Sequence, residues 1–231
     1  MLKSFKTEID PTPEQRNRID RTIGTCRHVY NFYLAHNKDI YEKGEKFMTG
    51  KSFSVWMNND YIPENPDKAW IKEVSSKSVK KAIEDAGTAF KRFFDRKSAF
   101  PKFKKKDKSD VKMYFVKNNP KDCSCERHRI KIPTLGWVKI KEKGYIPTTR
   151  SGIKIKSGTV SKKAGRYYVS VLAEVPDPEP GKPQNEGIGI DLGIKDFAVV
   201  SDGKVYKNIN KSGRMKKTRK ETAEGTEASL P

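Results

Sequence analysis

The chain has 231 residues, with 49 Lys and Arg against 29 Asp and Glu, a formal charge of +20, and equal 34% shares of hydrophobic and charged residues. No stretch approaches the roughly 18 consecutive apolar residues of a membrane span, and Met1–Glu8 lacks the apolar run of a secretory signal, which argues against a membrane protein or an exported one. Three cysteines, Cys26, Cys123 and Cys125, cannot build a disulfide framework and are expected as reduced thiols in a cytoplasmic protein.

From Met1 to about Asp10 a loose alternation of Leu2, Phe5, Thr7 and Ile9 with charged residues predicts a short strand. Thr12 then offers an N-cap, Pro13 suits the first helical position, and Glu14 favours the positive end of a helix dipole. Ile19, Ile23, Cys26, Val29, Tyr30, Tyr33 and Leu34 step by threes and fours, which predicts a long amphipathic helix stopped near Gly44. Cys26 falls on that stripe and is expected to be buried; His28 and His36 have no partner at metal-like spacing and are expected at the surface or boundary. Phe47–Trp56 predicts a shorter helix closed by the breaker-rich Tyr61–Asp67. Val79, Ile83, Ala86, Phe90, Phe93 and Phe94 predict a third helix with an apolar face, Lys80, Lys81, Glu84, Lys91 and Arg92 lying opposite. The front third is expected to be a small helical bundle.

The charge is concentrated beyond this point. Residues 91–166 carry 24 basic and 6 acidic side chains, whereas 1–90 carry 15 and 13, and 167–231 carry 10 of each. So concentrated a field attracts a polyanion, and nucleic acid is the expected partner. Lys91, Arg92, Lys102, Lys104, Lys105 and Lys106 are candidate phosphate contacts, with Phe100 and Phe103 either packing under the loop or stacking on bases. Period-two runs follow at 111–116, 129–132, 137–141, 153–156, 159–161 and 167–172, separated by Gly, Pro and Asn, which predicts an all-β meander or barrel. Lys131, Lys139, Lys141, Lys154 and Lys156 lie on the polar face of these strands and are further candidates. Cys123, Cys125 and His128 have an atypical spacing and no second pair, so a loop between strands is preferred over a zinc site.

Four prolines in Pro176–Pro183 predict a linker. After it, Ile188 and Ile190 suggest a buried strand ending near Asp191, with a sharp turn at Leu192-Gly193, a second strand 197–201, a type I′ turn at Asp202-Gly203 and a third strand. A carboxylate at Asp191 is costly unless it binds a cation or a donor. RNase H-like nucleases place their first metal-binding aspartate there, and actin-like ATPases a phosphate-facing one; the basic module upstream favours the nuclease.

The sequence resembles the TnpB or OrfB-type transposase-related proteins of bacterial insertion sequences, relatives of CRISPR type V effector nucleases. The resemblance rests on Phe5–Gln15, Cys26–Asn31, Lys91–Phe94, Phe100–Phe103, Ile130–Trp137 and Gly189–Ala198, and covers about residues 1–217. It implies an α+β fold in which an N-terminal helical bundle (11–105) is inserted in a wedge-like β-barrel (1–10 and 106–175). A linker (176–186), the first β-hairpin of an RNase H-like RuvC domain (187–212) and a disordered tail (213–231) would follow. It further implies a guide RNA and DNA as partners, transposition by a mobile element, and Mg²⁺-dependent DNA cleavage in a nucleoid-associated protein.

The chain departs from that family pattern in its last part. Of three RuvC carboxylates only Asp191 matches, so the Mg²⁺ site is expected to be incomplete; the Cys pairs of the zinc ribbon are missing, and 40 residues follow Asp191. Beyond Met215 the tail loses nearly all large apolar residues, which suggests a frameshift or stop near 212–220. The expectation is a truncated, nucleic-acid-binding relative without nuclease activity of its own; a regulator acting by occupancy and an actin-like ATPase fragment are the alternatives.

Overall fold

The computed structural model describes residues 1–117, 122–149, 152–176, 187–213 and 215. The chain divides into two units, Met1–Asp177 and Pro178–Pro231.

In the first unit Phe5, Thr7 and Ile9 alternate with polar residues, and β1 (Leu2–Asp10) buries that face. Six further strands follow the helices: β2 (Met113–Val116), β3 (Ser124–Cys125), β4 (Arg129–Ile132), β5 (Gly136–Ile140), β6 (Lys154–Lys163) and β7 (Arg166–Glu174). All seven form one antiparallel sheet in the order β2-β6-β7-β1-β5-β4-β3. β1 is thus central, pairing Phe5 with Val171 and Ile9 with Ile140. The expected barrel is an open sheet among the described residues: β2 and β3 are its edges, and β3, two residues long, is too short to carry a closing ladder.

Two of the expected short strands, 153–156 and 159–161, are one strand, β6, bulged between Ile155 and Ser157. Gly158 faces Phe115 across the ladder, where an added Cβ would lie 2.4 Å from the ring and 2.7 Å from the Ser170 carbonyl oxygen. The β6–β7 hairpin turns through Ala164 and Gly165 at φ 48° and 75°, the type I′ geometry. Cys123 and Cys125, expected in a loop, are core residues on and beside β3; burial pushes both thiols up to about 11.

The helices lie in the chain between β1 and β2. α1 (Pro13–Glu42) starts with a full capping box, Gln15 N donating to Thr12 Oγ1 at 3.3 Å and Thr12 N to Gln15 Oε1 at 3.0 Å. Gln15 Nε2 also donates to the carbonyls of Leu135 (3.0 Å) and Trp137 (2.9 Å), fixing the helix to the β4–β5 hairpin. Gly44, at φ 73°, follows the helix end as expected. α2 (Gly50–Trp56) begins later than Phe47, because Thr49 caps it. The chain then stays helical where a break was expected, through a π-helical Met57–Tyr61, α3 (Ile62–Glu64) and a 3₁₀ segment Pro66–Glu73. Pro63 sits in the first turn of α3, where a missing N–H costs nothing. α4 (Ser76–Phe94) completes the bundle, whose core includes Val29, Tyr33, Phe53, Ile83 and Phe90. Cys26 is buried there, and burial pushes its thiol up to about 12. His28 is exposed against Trp70; His36 is half-buried, stacked on Trp56 at 4.5 Å, its buried Nε2 without a hydrogen-bond partner among the described residues.

The second unit holds a three-stranded antiparallel sheet, β8 (Ile190–Leu192), β9 (Asp196–Val200) and β10 (Val205–Lys207). The expected buried strand is instead exposed: Ile188 is 66% and Ile190 62% accessible, because the described residues of this unit form one thin sheet without a second layer. The Asp202-Gly203 turn is also not type I′. Of the pair only Gly203 has positive φ (87°), Gly203 N donates to Val200 O at 2.8 Å and Val200 N to Lys204 O at 2.9 Å, a three-residue loop with glycine at its left-handed position. The expected linker from residue 177 onward and the tail from 216 onward fall outside the described residues.

Candidate nucleic-acid interface

The basic run after α4 is held in place by one helical side chain. Asn31, half-buried on α1, donates from Nδ2 to Lys104 O at 2.9 Å and accepts at Oδ1 from Lys104 N at 2.7 Å. An amide side chain satisfies both polar groups of one peptide unit in this way, as a strand neighbour would. The Lys104 ammonium lies over the Tyr30 ring at 5.1 Å. Lys105 and Ser109 close the next turn, Lys105 N donating to Ser109 Oγ at 2.9 Å and Ser109 N to Lys105 O at 3.1 Å, with Asp107 in the left-handed region at φ 58°.

Fixing this segment creates a groove of about 850 Å³ between α1, residues 106–112 and the β6–β7 hairpin. Lys6, Arg27, Lys106, Lys108, Lys112, Lys162 and Lys163 line it, with Tyr168 and the carboxylates Asp20, Asp107 and Asp110. Asp20 is already engaged by Lys162 Nζ at 2.7 Å and by the Tyr167 hydroxyl at 3.2 Å, and Asp110 by Lys112 at 3.1 Å. Cations therefore outnumber the carboxylates left for them. A neighbouring cavity of about 540 Å³, sharing Asp110, Val111, Lys112 and Thr159 with the groove, adds Arg92 and Lys104, and also Lys81, which is ion-paired with Asp85 of the same wall at 2.8 Å. Cationic, partly enclosed walls of this kind suit a phosphate backbone, whose binding releases counterions.

The sequence candidates divide between this groove and a second surface. Arg92 and Lys104 line the smaller cavity and Lys106 the groove, whereas Lys91, Lys102 and Lys105 are exposed nearby on α4 and the basic run. Lys131, Lys139 and Lys141 lie on the outward side of β4 and β5 and beyond it, with Arg129 stacked on Trp137 at 4.5 Å. Lys154 and Lys156 lie on β6, three strands away from β5 in the sheet. Lys141 and Lys156 are each committed to a carboxylate, Glu8 at 2.5 Å and Glu174 at 2.8 Å. Lys156 holds the Glu174 carboxyl below its usual range by hydrogen bond and charge.

Sequence reasoning did not single out Asn31, nor the groove residues Lys108, Lys112, Lys162 and Lys163 within the basic band, nor Lys6 and Arg27 from outside it. An asparagine next to the apolar stripe of α1 is the one local signal; the convergence of the cations depends on strand order.

Asp191 is central on β8, opposite Val199, which in turn pairs with Val205. Gly193 shapes the following turn: its N–H donates to Phe197 O at 3.3 Å, and a Cβ there would lie 2.9 Å from the Asp196 carbonyl oxygen. Asp191 is exposed, and the nearby Asp196 is ion-paired with Lys207 at 2.8 Å. Among the described residues no group of three or more His, Cys, Asp or Glu could hold a metal ion. A Mg²⁺ pair for phosphodiester chemistry needs several converging carboxylates, so the described surroundings of Asp191 do not fit one.

Residues 1–46 match the family described as "Helix-turn-helix domain" of IS605 OrfB, and residues 170–227 the one described as "Probable transposase" of IS605 OrfB. The first of these segments folds here as β1 followed by one uninterrupted helix, not as two helices across a turn. The "Putative RNA-guided DNA endonuclease InsQ" of Escherichia coli (strain K12) is 29% identical over 211 residues, 90% of this chain and 50% of that protein. A "Putative RNA-guided DNA endonuclease" of Streptomyces pristinaespiralis is 26% identical over 214 residues, 89% of this chain and 50% of that protein. "Virulence protein VsdF" of Salmonella dublin is 29% identical over 113 residues, 46% of this chain and 95% of its own length. The chain thus spans about half the length of the two endonuclease relatives.

Proposed function

This chain is a relative of the IS605-type OrfB/TnpB proteins, and from that premise we propose that it binds a guide RNA and a DNA target through the groove held by Asn31, without cutting DNA by itself. The cation-lined groove is the observation that carries the reading. Sequence-independent contacts to phosphates come from such a surface, and pairing with a guide would supply the sequence. In this reading 1–10 and 106–175 form the wedge, 11–105 the recognition helices, and 187–212 the first hairpin of a RuvC-type domain, in a protein acting on DNA inside a bacterial cell. No helix among the described residues is long and apolar enough to cross a membrane.

The absence of cutting rests on Asp191. In this reading Asp191 is the first nuclease carboxylate, and among the described residues it belongs to no group of three or more His, Cys, Asp or Glu that could hold a metal ion. The chain would then act by occupancy of its target. The test incubates the chain with RNA transcribed from the flank of its gene, the matching DNA and Mg²⁺. Bound, uncut DNA is the expected result; cleavage that Asp191→Ala abolishes would overturn the proposal.

A further inference from the structure

At one end of the helical bundle, the last turns of α1 and α4, Phe47 and the chain at Phe100 enclose a pocket of about 200 Å³. Its walls include Tyr41, Phe47, Phe90, Phe93, Phe94 and Phe100. The rings pack mostly edge to face, Phe47 on Phe90 at 5.1 Å, Phe47 on Phe94 at 5.5 Å and Phe93 on Phe100 at 5.2 Å. Phe90 is anchored in the core, but Tyr41 is 66% and Phe94 49% accessible, so the aromatic stripe of α4 is only partly a core feature. Large rings left in water around a recess offer π faces that the fold itself does not cover.

The charge beside the pocket decides what fits. Lys91 and Arg96 lie exposed on the last turn of α4 and just past it, whereas Arg92 belongs to the cavity described above; the only carboxylate of that stretch, Asp95, is ion-paired with Lys97 at 3.3 Å. On the α1 side Lys38 and Glu42 both line the pocket and are paired with each other at 3.6 Å, so that side is neutral and the excess charge comes from the α4 side. Apolar π walls edged by cations match a nucleotide, whose base is flat and whose phosphate is anionic. We propose that this pocket captures one unpaired base of a single-stranded nucleic acid, stacked on Phe94 and Tyr41, with its backbone phosphate against Lys91, three residues before Phe94 on the helix. The proposal rests on the nucleic-acid-binding reading above and adds a site for an unpaired base, whatever its identity, away from the groove.

Binding of the full chain to a single-stranded oligonucleotide carrying 2-aminopurine, and to the matching duplex, separates the two. The Tyr41→Ala/Phe94→Ala variant alters half-exposed side chains, and Phe94→Leu keeps apolar volume without a ring; circular dichroism confirms that each is folded. Both variants are expected to lose about tenfold in single-strand affinity and the quenching of 2-aminopurine. The salt dependence and duplex binding should be unchanged, since no charge is removed. Single-strand affinity and quenching equal to the parent's would overturn the pocket while leaving the groove reading intact; failure of the parent chain to bind any nucleic acid would remove both.

Discussion

Asn31 and Lys104, 73 residues apart in sequence, are joined by a reciprocal pair of hydrogen bonds in which one helical amide serves both polar groups of a loop peptide. The contact converts a basic run that would otherwise be a solvated loop into one wall of a groove. Asn31→Ala is expected to strand the Lys104 N–H and C=O, at a local cost of about 1–3 kcal/mol. The number of cations is untouched, so nucleic-acid affinity should fall several-fold at an unchanged formal charge. Equal affinities for Asn31→Ala and the parent, by fluorescence anisotropy, would show that the clamp does not position the groove.

The turn between β6 and β7 carries a residue that its geometry disfavours. Ala164 occupies the left-handed region at φ 48°, where an L-residue with a Cβ is strained and asparagine is tolerated. Ala164→Asn should therefore raise stability by about 0.5–1 kcal/mol in urea unfolding. A loss of stability would contradict the type I′ assignment.

Gly158 is constrained from the opposite direction. A methyl group there would collide with the Phe115 ring and with the backbone at Ser170, and Phe115 is 2% accessible with nowhere to retreat. Gly158→Ala is expected to destabilise the first unit by about 1–3 kcal/mol, an overpacking cost. An unchanged urea midpoint would argue against the β2–β6 register.

His36 is expected to give the helical bundle a pH dependence. Burial lowers its pKa from the usual 6.5, with Asp39 and Glu45 opposing the shift. The unfolded chain then takes up the proton more readily than the folded one, so this contribution to stability is present above pH 6.5 and is lost as pH falls through the folded value. Thermal unfolding, followed by Trp fluorescence, should show a smaller decline between pH 7.5 and pH 5 in His36→Phe. His28, lowered by burial and by Lys68, would keep part of the effect. An identical decline in variant and parent would exclude His36 as a source.

The helices and strands that could be read locally are those in which one short-range rule dominates. α1 and α4 show threes-and-fours spacing with a cap or a stop, β4 and β7 show clean alternation, and β1 a looser one that becomes regular from Phe5. The sequence was silent where long-range geometry decides. Nothing near Cys123 announces that β4 recruits its neighbourhood as an edge strand, and nothing in Ile188 and Ile190 tells whether a layer will cover them. The site follows the same division. The charge of residues 91–166 was evident, but the groove also draws on Lys6 and Arg27, which strand order and the Asn31 clamp bring to it.

The central claim is that phosphates are neutralised in the groove itself. It is tested most directly by the salt dependence of RNA and DNA binding for the parent chain and for Lys106→Ala/Lys108→Ala/Lys163→Ala. Each lost phosphate contact should reduce the slope of log affinity against log salt by about 0.7–0.9, so the account predicts a slope shallower by about 2–3 and weaker binding to every sequence tested. A slope and affinity indistinguishable from the parent's would contradict it.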